Sequence, residues 1–508
     1  MEINIKNETL PLCSGVCRTK NNFIAECDVI VPDSKPDILK VLQLSARPKV
    51  TSCETRAGHV IASGSITFDI LYLADSQEKC VKSITTSCEF SNMVRDSSIS
   101  EGMLTFADVD VRELQCNVAN CRKLSLHASL CLNLRVYSCH NLDIISDIEG
   151  ACIQKTEFSS GVICAHAQDT ALITDSFNLS SGKAPVTEIL KSDAEIIDTS
   201  LKVIDDKAIF KGNMRVTVLY LSEEGLEYAQ TEISFAHVLE ADGIRENMDF
   251  EHTVKLLDIS ASVSPNDEGI NCIIDISTQI FMRVIARCTT RLSCVVDAYL
   301  PHGNLDLKTS PVSVDSVETV IDRDVDFREK IILPDSLPSI GSIYQVIARP
   351  FTESCVTEGG NLKVTGYTEV YVLYLSEDSD APACSYKTNV DFSVVCPSPG
   401  CSITPVASCK LRNISYTINA ENSIEIRGCV DVNVQCIRTV EADIVYSAEI
   451  GEYTPVQRPS IIVSCVSPGR SLWDIAKEYG VNQKDILLAN ALDDESKIES
   501  GMALIIPK

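Results

Sequence analysis

Carboxylates that could bind a metal ion alternate along one segment of the chain. Asp322, Asp324 and Asp326 are spaced like the first ligands of a calcium-binding loop. Such a loop next needs a glycine and later a bidentate glutamate, and Phe327 and Leu333 occupy these places here. The triplet therefore predicts a solvated segment, and we expect neither a metal ion nor another cofactor.

Residue patterns that carry catalysis are missing from the sequence. It contains no His-Glu-x-x-His zinc motif, no Gly-x-Ser-x-Gly nucleophile turn and no Gly-x₄-Gly-Lys-Ser/Thr phosphate loop. The seven histidines are scattered along the chain. We therefore expect a protein that is not an enzyme and has no catalytic residues.

The 23 cysteines are the other group of reactive side chains. None are spaced as Cys-x-x-Cys, and the closest pairs have no second half at the spacing of a zinc site. In a reducing cytosol, thiols act mostly as small buried hydrophobic side chains, and we expect that role here. Cross-linking of exposed thiols, once a compartment becomes oxidising, is the alternative.

The net charge restricts the possible partners. With 44 Lys+Arg against 71 Asp+Glu the formal net charge is −27, so nucleic acid and anionic lipid would be repelled. The first ten residues lack the basic start and apolar core of a secretion signal, and no apolar run is long enough to span a membrane. We expect no nucleic-acid partner, no membrane insertion and no export.

A ten-residue motif that begins with glycine and ends with Leu-Tyr-Leu occurs at residues 64–73, 212–221 and 366–375. A proline lies 35 or 36 residues before each tyrosine, at Pro36, Pro185 and Pro338. A phenylalanine lies 15 or 18 residues after it, at Phe90, Phe235 and Phe392. Four landmarks in one order predict three copies of one domain. We place them at residues 1–160, 161–312 and 313–450, followed by a linker (451–459) and a C-terminal module (460–508).

Hydrophobic alternation gives the fold class of each copy. Ile66, Phe68 and Ile70 alternate with more polar residues, which is typical of a half-buried strand. The stretch after Pro36 is predicted to form a short helix, because Ile38, Val41 and Leu42 would share one face. Each copy therefore predicts a mainly β domain, a β-sandwich or barrel-like fold of about 130 residues with one short helix.

The C-terminal module has a different pattern. Residues 461–465 alternate like a strand, and Ser471 and Asp474 have the spacing of a helix capping box. Gly480 would end this helix, Asn482 could start a second one, and a strand follows Gly501. The order strand–helix–helix–strand in fewer than 50 residues predicts a small βααβ module.

The repeated domains resemble the SPOCS (spore coat) domain of endospore-forming bacteria. The resemblance rests on the Pro-Asp-x-x-Pro turn that ends at Pro36, the Gly-x₅-[Ile/Val]-Leu-Tyr-Leu strand and the Asn120-Cys-Arg-Lys-Leu124 segment. It covers nearly all of residues 20–450, and it is stronger in copies one and three than in copy two.

The C-terminal module resembles the LysM module. The matching residues are Gly469, Ser471, the Leu-Trp-x-Ile-Ala run at 472–476, Asn490, and Gly-x-x-Leu-x-Ile-Pro at 501–507. LysM modules usually bind N-acetylglucosamine-containing glycans beside their first loop. Gly469-Arg470-Ser471 stands where the family has Gly-Asp-Thr, and the lost aspartate predicts a preference for protein over glycan.

An array of SPOCS domains followed by LysM is the arrangement of the SipL-like coat morphogenetic proteins. The resemblance implies a non-enzymatic scaffold for spore coat assembly, in the mother-cell cytoplasm at the forespore surface. Its implied partner is the basement-layer coat ATPase, a protein like stage IV sporulation protein A, onto which LysM docks; other coat proteins are further candidates. The residues predicted to bind the partner are Ile461, Gly469, Arg470, Ser471, Trp473 and Asn490.

Two other functions stay open from the sequence. One is a peptidoglycan-binding protein, and the other is a cell-wall hydrolase targeted by LysM, which lacks support from any catalytic motif. The only tryptophan, Trp473, also has two interpretations. It is either an anchor of a binding interface or an aromatic side chain that covers the core beside Leu472.

Overall fold

A computed structural model of the protein describes residues 3–76, 80–180, 182–376, 378, 381–400, 404–419, 422–453, 459, 461–494 and 498–507. Most of these residues lie in strands, and both helices among them belong to the C-terminal module. The predicted mainly β fold is therefore confirmed, as is the βααβ order of the module. Within the described ranges no helix is long and apolar enough to cross a membrane. Residues 454–458 of the predicted linker lie outside them.

The strands of the first unit are β1 (Asn4–Ile30), β2 (Ile38–Arg56), β3 (His59–Ala74), β4 (Val81–Arg95), β5 (Leu104–Asn120) and β6 (Lys123–Glu149). Those of the second unit are β7 (Cys152–Asn178), β8 (Glu188–Ile204), β9 (Lys207–Ser222), β10 (Gly225–Glu240), β11 (Asp249–Pro265) and β12 (Asn271–Tyr299). Those of the third unit are β13 (Leu305–Ile332), β14 (Ile340–Glu358), β15 (Asn361–Ser376), β16 (Ala383–Pro397), β17 (Thr404–Asn419) and β18 (Ser423–Ile450). The C-terminal module contains β19 (Ile462–Cys465), α1 (Leu472–Tyr479), α2 (Gln483–Ala489) and β20 (Ala503–Ile506).

Each unit consists of two three-stranded antiparallel sheets with the same order of strands. The second, third and fourth strands form one sheet, and the sixth strand lies between the first and the fifth in the other. In the first unit the two sheets share one hydrophobic core, in which Ile66, Phe68 and Ile70 of β3 face Leu124 and Leu126 of β6. The alternation predicted for the motif strand is thus the alternation between this core and the opposite face of the sheet.

The glycine and phenylalanine landmarks are cross-strand partners. Gly64 pairs with Phe90, as Gly212 pairs with Phe235 and Gly366 with Phe392. A Cβ atom at Gly64 would lie 2.1 Å from the carbonyl oxygen of Lys49 and 2.7 Å from the ring of Phe90. The glycine is therefore required because the phenylalanine ring and a neighbouring strand occupy the space of a side chain.

The tyrosine and proline landmarks also meet. Tyr72 is fully buried and its hydroxyl donates to the carbonyl oxygen of Pro36 at 3.1 Å. Tyr374 donates in the same way to Pro338 at 2.9 Å. In each case the bond ties the chain before the second strand to the core of the unit, which explains the constant spacing of the two residues.

The short helix predicted after Pro36 is wrong, because these residues begin strand β2. Ile38 pairs with Ala74, and the register shifts between Ile38 and Lys40 and again between Val41 and Gln43. Each shift is a β-bulge, which inserts one residue and breaks the two-residue period. The bulges leave apolar residues three and four positions apart, a spacing that resembles one face of a helix.

The three units pack around one shared core. The two leucines of each Leu-Tyr-Leu motif point away from the unit's own core, and several of them meet in a common cluster. The cluster contains Leu42, Leu71, Leu73 and Val81 of the first unit, Leu190 and Leu219 of the second, and Tyr344, Leu373 and Ala383 of the third. Equivalent residues of the three units therefore meet in this cluster.

The long first and last strands of each unit continue beyond the sheets as two-stranded ribbons. The first ribbon pairs residues 4–15 with 137–149, the second 152–163 with 287–299, and the third 305–317 with 437–450. Apolar side chains from all three ribbons form two further clusters, so the ribbons pack into one stalk. The predicted boundaries at 160/161 and 312/313 fall inside β7 and β13; as limits of independently folding domains they stay predictions.

One cysteine pair differs from the expectation of free thiols. Cys13 and Cys139 are direct partners in the first ribbon, with Cα atoms 4.2 Å apart, and they form a disulfide. Several other cysteines are buried, as predicted for small hydrophobic side chains, among them Cys396 and Cys436 in the third unit. This pair could not be predicted from local spacing, because its members are 126 residues apart.

Candidate partner-binding site

The start of α1 is built as the sequence predicts. Ser471 is the N-cap: its hydroxyl accepts from the backbone N–H of Asp474 at 3.2 Å, and its own N–H donates to the Asp474 carboxylate at 2.8 Å. The bonds from Ser471 hold the pKa of Asp474 below its usual range. Gly469 precedes the cap with φ +80° and Gly480 follows the helix with φ +59°, a left-handed conformation that favours glycine at both places.

Arg470 lies in the loop before α1. Its guanidinium forms an ion pair with Glu478, one residue before the end of the same helix. The bond to Glu478 raises the pKa of Arg470, which is charged at any physiological pH. The residue that replaces the aspartate of the LysM family therefore adds a positive charge that is already balanced within the module.

Trp473 is buried by a contact with the second unit. Its exposed fraction is 8 %, and its ring lies 5.0 Å from the ring of Tyr299 at an interplanar angle of 68°. Its indole N–H donates to the carboxylate of Asp297 at 2.8 Å. Both partners lie at the end of β12, in the tip of the second ribbon.

Other bonds extend this contact beyond Trp473. Lys477, one turn further along α1, donates to both oxygens of Asp297 at 2.6 and 2.8 Å. The hydroxyl of Tyr299 donates to the carbonyl oxygen of Val481 at 2.8 Å, and the backbone N–H of His302 donates to that of Gly480 at 3.1 Å. The module is thus held against the tip of the second ribbon through α1 and the turn after it.

Asn490 joins two elements inside the module. Its side-chain amide donates to the carbonyl oxygens of Ile486 and Ile505, each at 2.8 Å, and its side-chain oxygen accepts from the N–H of Ile505 at 2.7 Å. All three bonds satisfy backbone groups of α2 and β20. The role that the structure gives to Asn490 is therefore to hold the second helix on the last strand.

Ile461 lies on a different face of the module from Trp473. Its exposed fraction is 72 %, and it precedes β19, in which Val463 pairs with Ile505 of β20. Val463 and Ile505 are also exposed, at 57 and 46 %, on the outer side of the two-stranded sheet. The structure therefore places Gly469, Arg470, Ser471 and Trp473 together at the start of α1, whereas Ile461 lies on the outer side of the two-stranded sheet.

Two residues of this contact, Asp297 and Tyr299, were not among the site residues predicted from the sequence. They belong to the second unit and lie more than 170 residues before Trp473 in the chain. The signal that could have found them is the comparison of the three ribbons. Each ribbon ends in the same pattern of buried positions, and the residue directly after the buried pair is aromatic in the second ribbon and glutamate in the other two, as described below.

The fold and the site define a class of protein: three repeated β-units on a common core, with a small βααβ module attached to their stalk. Family comparison identifies both parts. A SipL, SPOCS domain model matches residues 37–119 and 185–264, in the first and second units, and a LysM domain model matches residues 466–507. The chain thus carries segments that match a SPOCS domain and a LysM domain, and both are binding domains rather than catalytic ones.

Comparisons with whole proteins add little. No curated protein matches this chain. A solved structure, the ferric yersiniabactin uptake receptor FyuA from Yersinia pestis, is 10 % identical over 87 % of this chain and 80 % of that one, with a TM-score of 0.11. A likeness at this TM-score carries no argument about fold or function.

Proposed function

We propose that this protein is a non-enzymatic adaptor of spore coat assembly that docks through its LysM module onto the basement-layer coat ATPase at the forespore surface. The observation that carries the proposal is the combination of SPOCS domains and a LysM module in one chain. The mother-cell cytoplasm, where coat layers are laid down on the forespore, is the location that such an adaptor requires.

The charge and build of the module favour a protein partner. Residues 461–508 carry five basic and seven acidic side chains, a net charge of −2, against −27 for the whole chain. The nearly neutral module also has exposed apolar side chains at Ile461, Val463 and Leu488. Apolar side chains on a weakly charged surface suit contact with another protein.

The test is a pull-down from sporulating cells with the full chain and with a chain that ends before residue 460. We expect the coat ATPase to be captured by the first and lost with the second. Purified ATPase should then bind the full chain directly. Capture that does not depend on the module would contradict docking through LysM, and no capture at all would contradict the adaptor role.

Glycan binding is the second candidate, since LysM domains of other proteins commonly have this function. Against it, the loop residue Arg470 replaces an aspartate and pairs with Glu478. Incubation of the full chain with peptidoglycan and with chito-oligosaccharides decides between the two. Binding at micromolar affinity or better, together with no binding to the ATPase, would establish the glycan function instead.

A further inference from the structure

The contact between the LysM module and the second ribbon has the chemistry of ligand recognition. Two donors, the indole N–H of Trp473 and the ammonium of Lys477, converge on the single carboxylate of Asp297. Two residues later, the ring of Tyr299 packs edge-on against the indole and its hydroxyl reaches the backbone of Val481. The α1 face therefore binds a carboxylate and, two residues further along the same strand, a tyrosine.

The three ribbons show that this pattern is specific to the second one. Ile145 and Ile148, Val295 and Ala298, and Val445 and Ala448 are the equivalent buried pairs near the three tips. The residue after each pair is Glu149 in the first ribbon, Tyr299 in the second and Glu449 in the third.

The two glutamates at this position have polar surroundings. Glu149 accepts from Asn4 and pairs with Lys6, and Glu449 lies 4.0 Å from Lys308. Both glutamates form bonds within their own ribbons, whereas Tyr299 contacts the LysM module. The second ribbon departs from the other two at the residue that the module contacts.

The contact joins two parts that a tether holds near each other. Eleven residues, 451–461, separate the end of β18 from the start of β19. A segment of this length spans at most about 40 Å when fully extended, so a module that leaves the ribbon stays within that distance of it. Tethering of this kind favours rebinding through an effective concentration of about a millimolar.

We propose that the α1 face of the LysM module, formed by Trp473, Lys477 and the turn at Val481, is a recognition surface for a strand end that carries a carboxylate and a tyrosine two residues later. The second ribbon occupies this surface in the free protein, and a partner presenting the same chemistry displaces it. The inference rests on the proposed function, because it names what the module's protein partner presents.

Occupation by the second ribbon lowers the partner's apparent affinity. A partner can bind only those molecules whose module has been released from the ribbon. Its apparent affinity is therefore the intrinsic affinity multiplied by the released fraction. If about one molecule in ten is released, weakening the contact should tighten partner binding about tenfold. The partner is thus expected to bind best when the ribbon is disabled and the module is intact.

The single tryptophan makes the contact directly measurable in the full-length protein. In the Asp297→Ala and Tyr299→Glu variants we expect Trp473 emission to shift to longer wavelength and acrylamide quenching to increase. Asp147→Ala is the matched control, because Asp147 is the equivalent residue of the first ribbon and pairs with Lys6 and Lys155 instead. Unchanged emission in both folded variants would overturn the proposal.

A peptide tests recognition without any partner. A peptide with the sequence of residues 293–303 and the change Cys294→Ser, added to full-length Tyr299→Glu, should restore the emission and protection of Trp473. A peptide lacking the carboxylate and the tyrosine (Asp297→Ala, Tyr299→Ala) should not. Circular dichroism confirms that the variant is folded. No protection by the first peptide, or equal protection by both, would overturn the proposal.

A last experiment distinguishes a failure of this inference from a failure of the proposed function. Binding of purified coat ATPase should be about tenfold tighter to Tyr299→Glu than to the unchanged protein. Equal or weaker binding would contradict displacement of the ribbon. If the ATPase binds neither protein while the peptide still protects Trp473, the adaptor function fails and the recognition surface stands.

Discussion

The second unit and the other two share a fold but differ in what their divergent residues contact. All three have the same strand order, the same Gly–Phe pair and a fully buried tyrosine in the motif. In the first and third units that tyrosine donates to a proline carbonyl, whereas Tyr220 donates to the carboxylate of Glu227 at 3.4 Å. At the tip of its ribbon the second unit has Tyr299 in place of glutamate, where it meets the LysM module.

The centre of the assembly shows the same difference. Gln43, Lys191 and Gln345 directly follow the core residues Leu42, Leu190 and Tyr344 of the three units. Lys191 donates to Gln43 of the first unit at 2.8 Å and pairs with Asp193 at 2.8 Å.

Asp193 in turn accepts from the hydroxyl of Tyr344 of the third unit at 2.9 Å. The second unit therefore supplies the charged pair that connects all three units. Shared apolar residues thus build each unit and the core between the units, whereas the charged and polar bonds from Lys191, Asp193 and Tyr299 to other parts of the molecule come from residues peculiar to the second unit.

The largest expected effect comes from the residues that all units share. Gly366→Ala would place a Cβ 2.1 Å from the carbonyl oxygen of Phe351 and 2.6 Å from the ring of Phe392. Such overpacking should lower the free energy of unfolding by about 3 kcal/mol or more, measured by urea denaturation. Gly212→Ala should cost a similar amount, because its contacts are equally close at 2.4 and 2.6 Å.

Gly161→Ala is the control for this prediction. Gly161 also lies in a strand of the second unit, and nothing occupies the space of its Cβ within 4 Å. It should change stability by less than about 0.5 kcal/mol. If Gly212→Ala were tolerated as well, the Gly–Phe pair would be a feature of two units only, and the second would differ in its core.

The landmarks identified from sequence mark the positions where the fold is most constrained. Glycine and phenylalanine touch in all three units, and tyrosine and proline touch in the first and third, so that recurring contacts leave recurring spacings. The β class, the βααβ module and the capping box of α1 follow from local patterns and could be predicted. The helix after Pro36 was wrong because β-bulges produce a local spacing that mimics a helix.

Contacts between units could not be predicted from local sequence patterns. The partners of Trp473 and Lys477 are distant in the chain, and no local pattern connects them to Asp297. The burial of the motif leucines likewise depends on residues of the other two units, which no local pattern reveals. The predicted site residues also turn out to have different surroundings. Trp473 contacts the second ribbon, whereas the bonds of Asn490 described above are to backbone groups of its own module.

The next largest effect concerns the charged pair at the centre. Lys191→Met should lower the free energy of unfolding by about 3 kcal/mol, because it leaves the carboxylate of Asp193 without its cation. Lys191→Gln introduces the residue found in the other two units, and we expect a smaller loss of about 1 kcal/mol because the amide can still donate. Lys202→Met, at an exposed lysine of the same strand, is the control and should have little effect. Equal losses from both Lys191 substitutions would show that a neutral amide cannot replace the ammonium, and that the positive charge itself is required beside Asp193.

Buried tyrosines should make the protein sensitive to alkali. Burial raises the pKa of Tyr72 to about 12, and it also raises the pKa of Tyr220, Tyr344 and Tyr374. An unfolded tyrosine ionises near its ordinary pKa of about 10, so above this pH the unfolded state binds fewer protons and stability falls as pH rises. Absorbance at the wavelength of tyrosinate should therefore increase in two phases, with these four residues ionising together with unfolding. Full ionisation of all tyrosines before unfolding would contradict their burial.

The smallest effects are expected from removing single tyrosine hydroxyls. Tyr72→Phe and Tyr374→Phe each leave a partly buried proline carbonyl without its donor, which should cost about 1 kcal/mol in urea denaturation. Tyr220→Phe should cost less, about 0.5 kcal/mol, because the carboxylate of Glu227 keeps other partners. Ser222 donates to it at 3.2 Å and Lys183 pairs with it at 3.0 Å.

The three phenylalanine variants are matched to one another, since each removes one oxygen from a fully buried side chain at the same position of the motif. A smaller loss in the second unit alone would establish that its tyrosine is held by packing rather than by a bond to the preceding loop. A loss at Tyr220 equal to the other two would instead show that the bond to Glu227 does the same work there as the bond to proline. In that case the second unit would differ from the others at the centre of the assembly and at the tip of its ribbon, but not in how its motif strand is anchored.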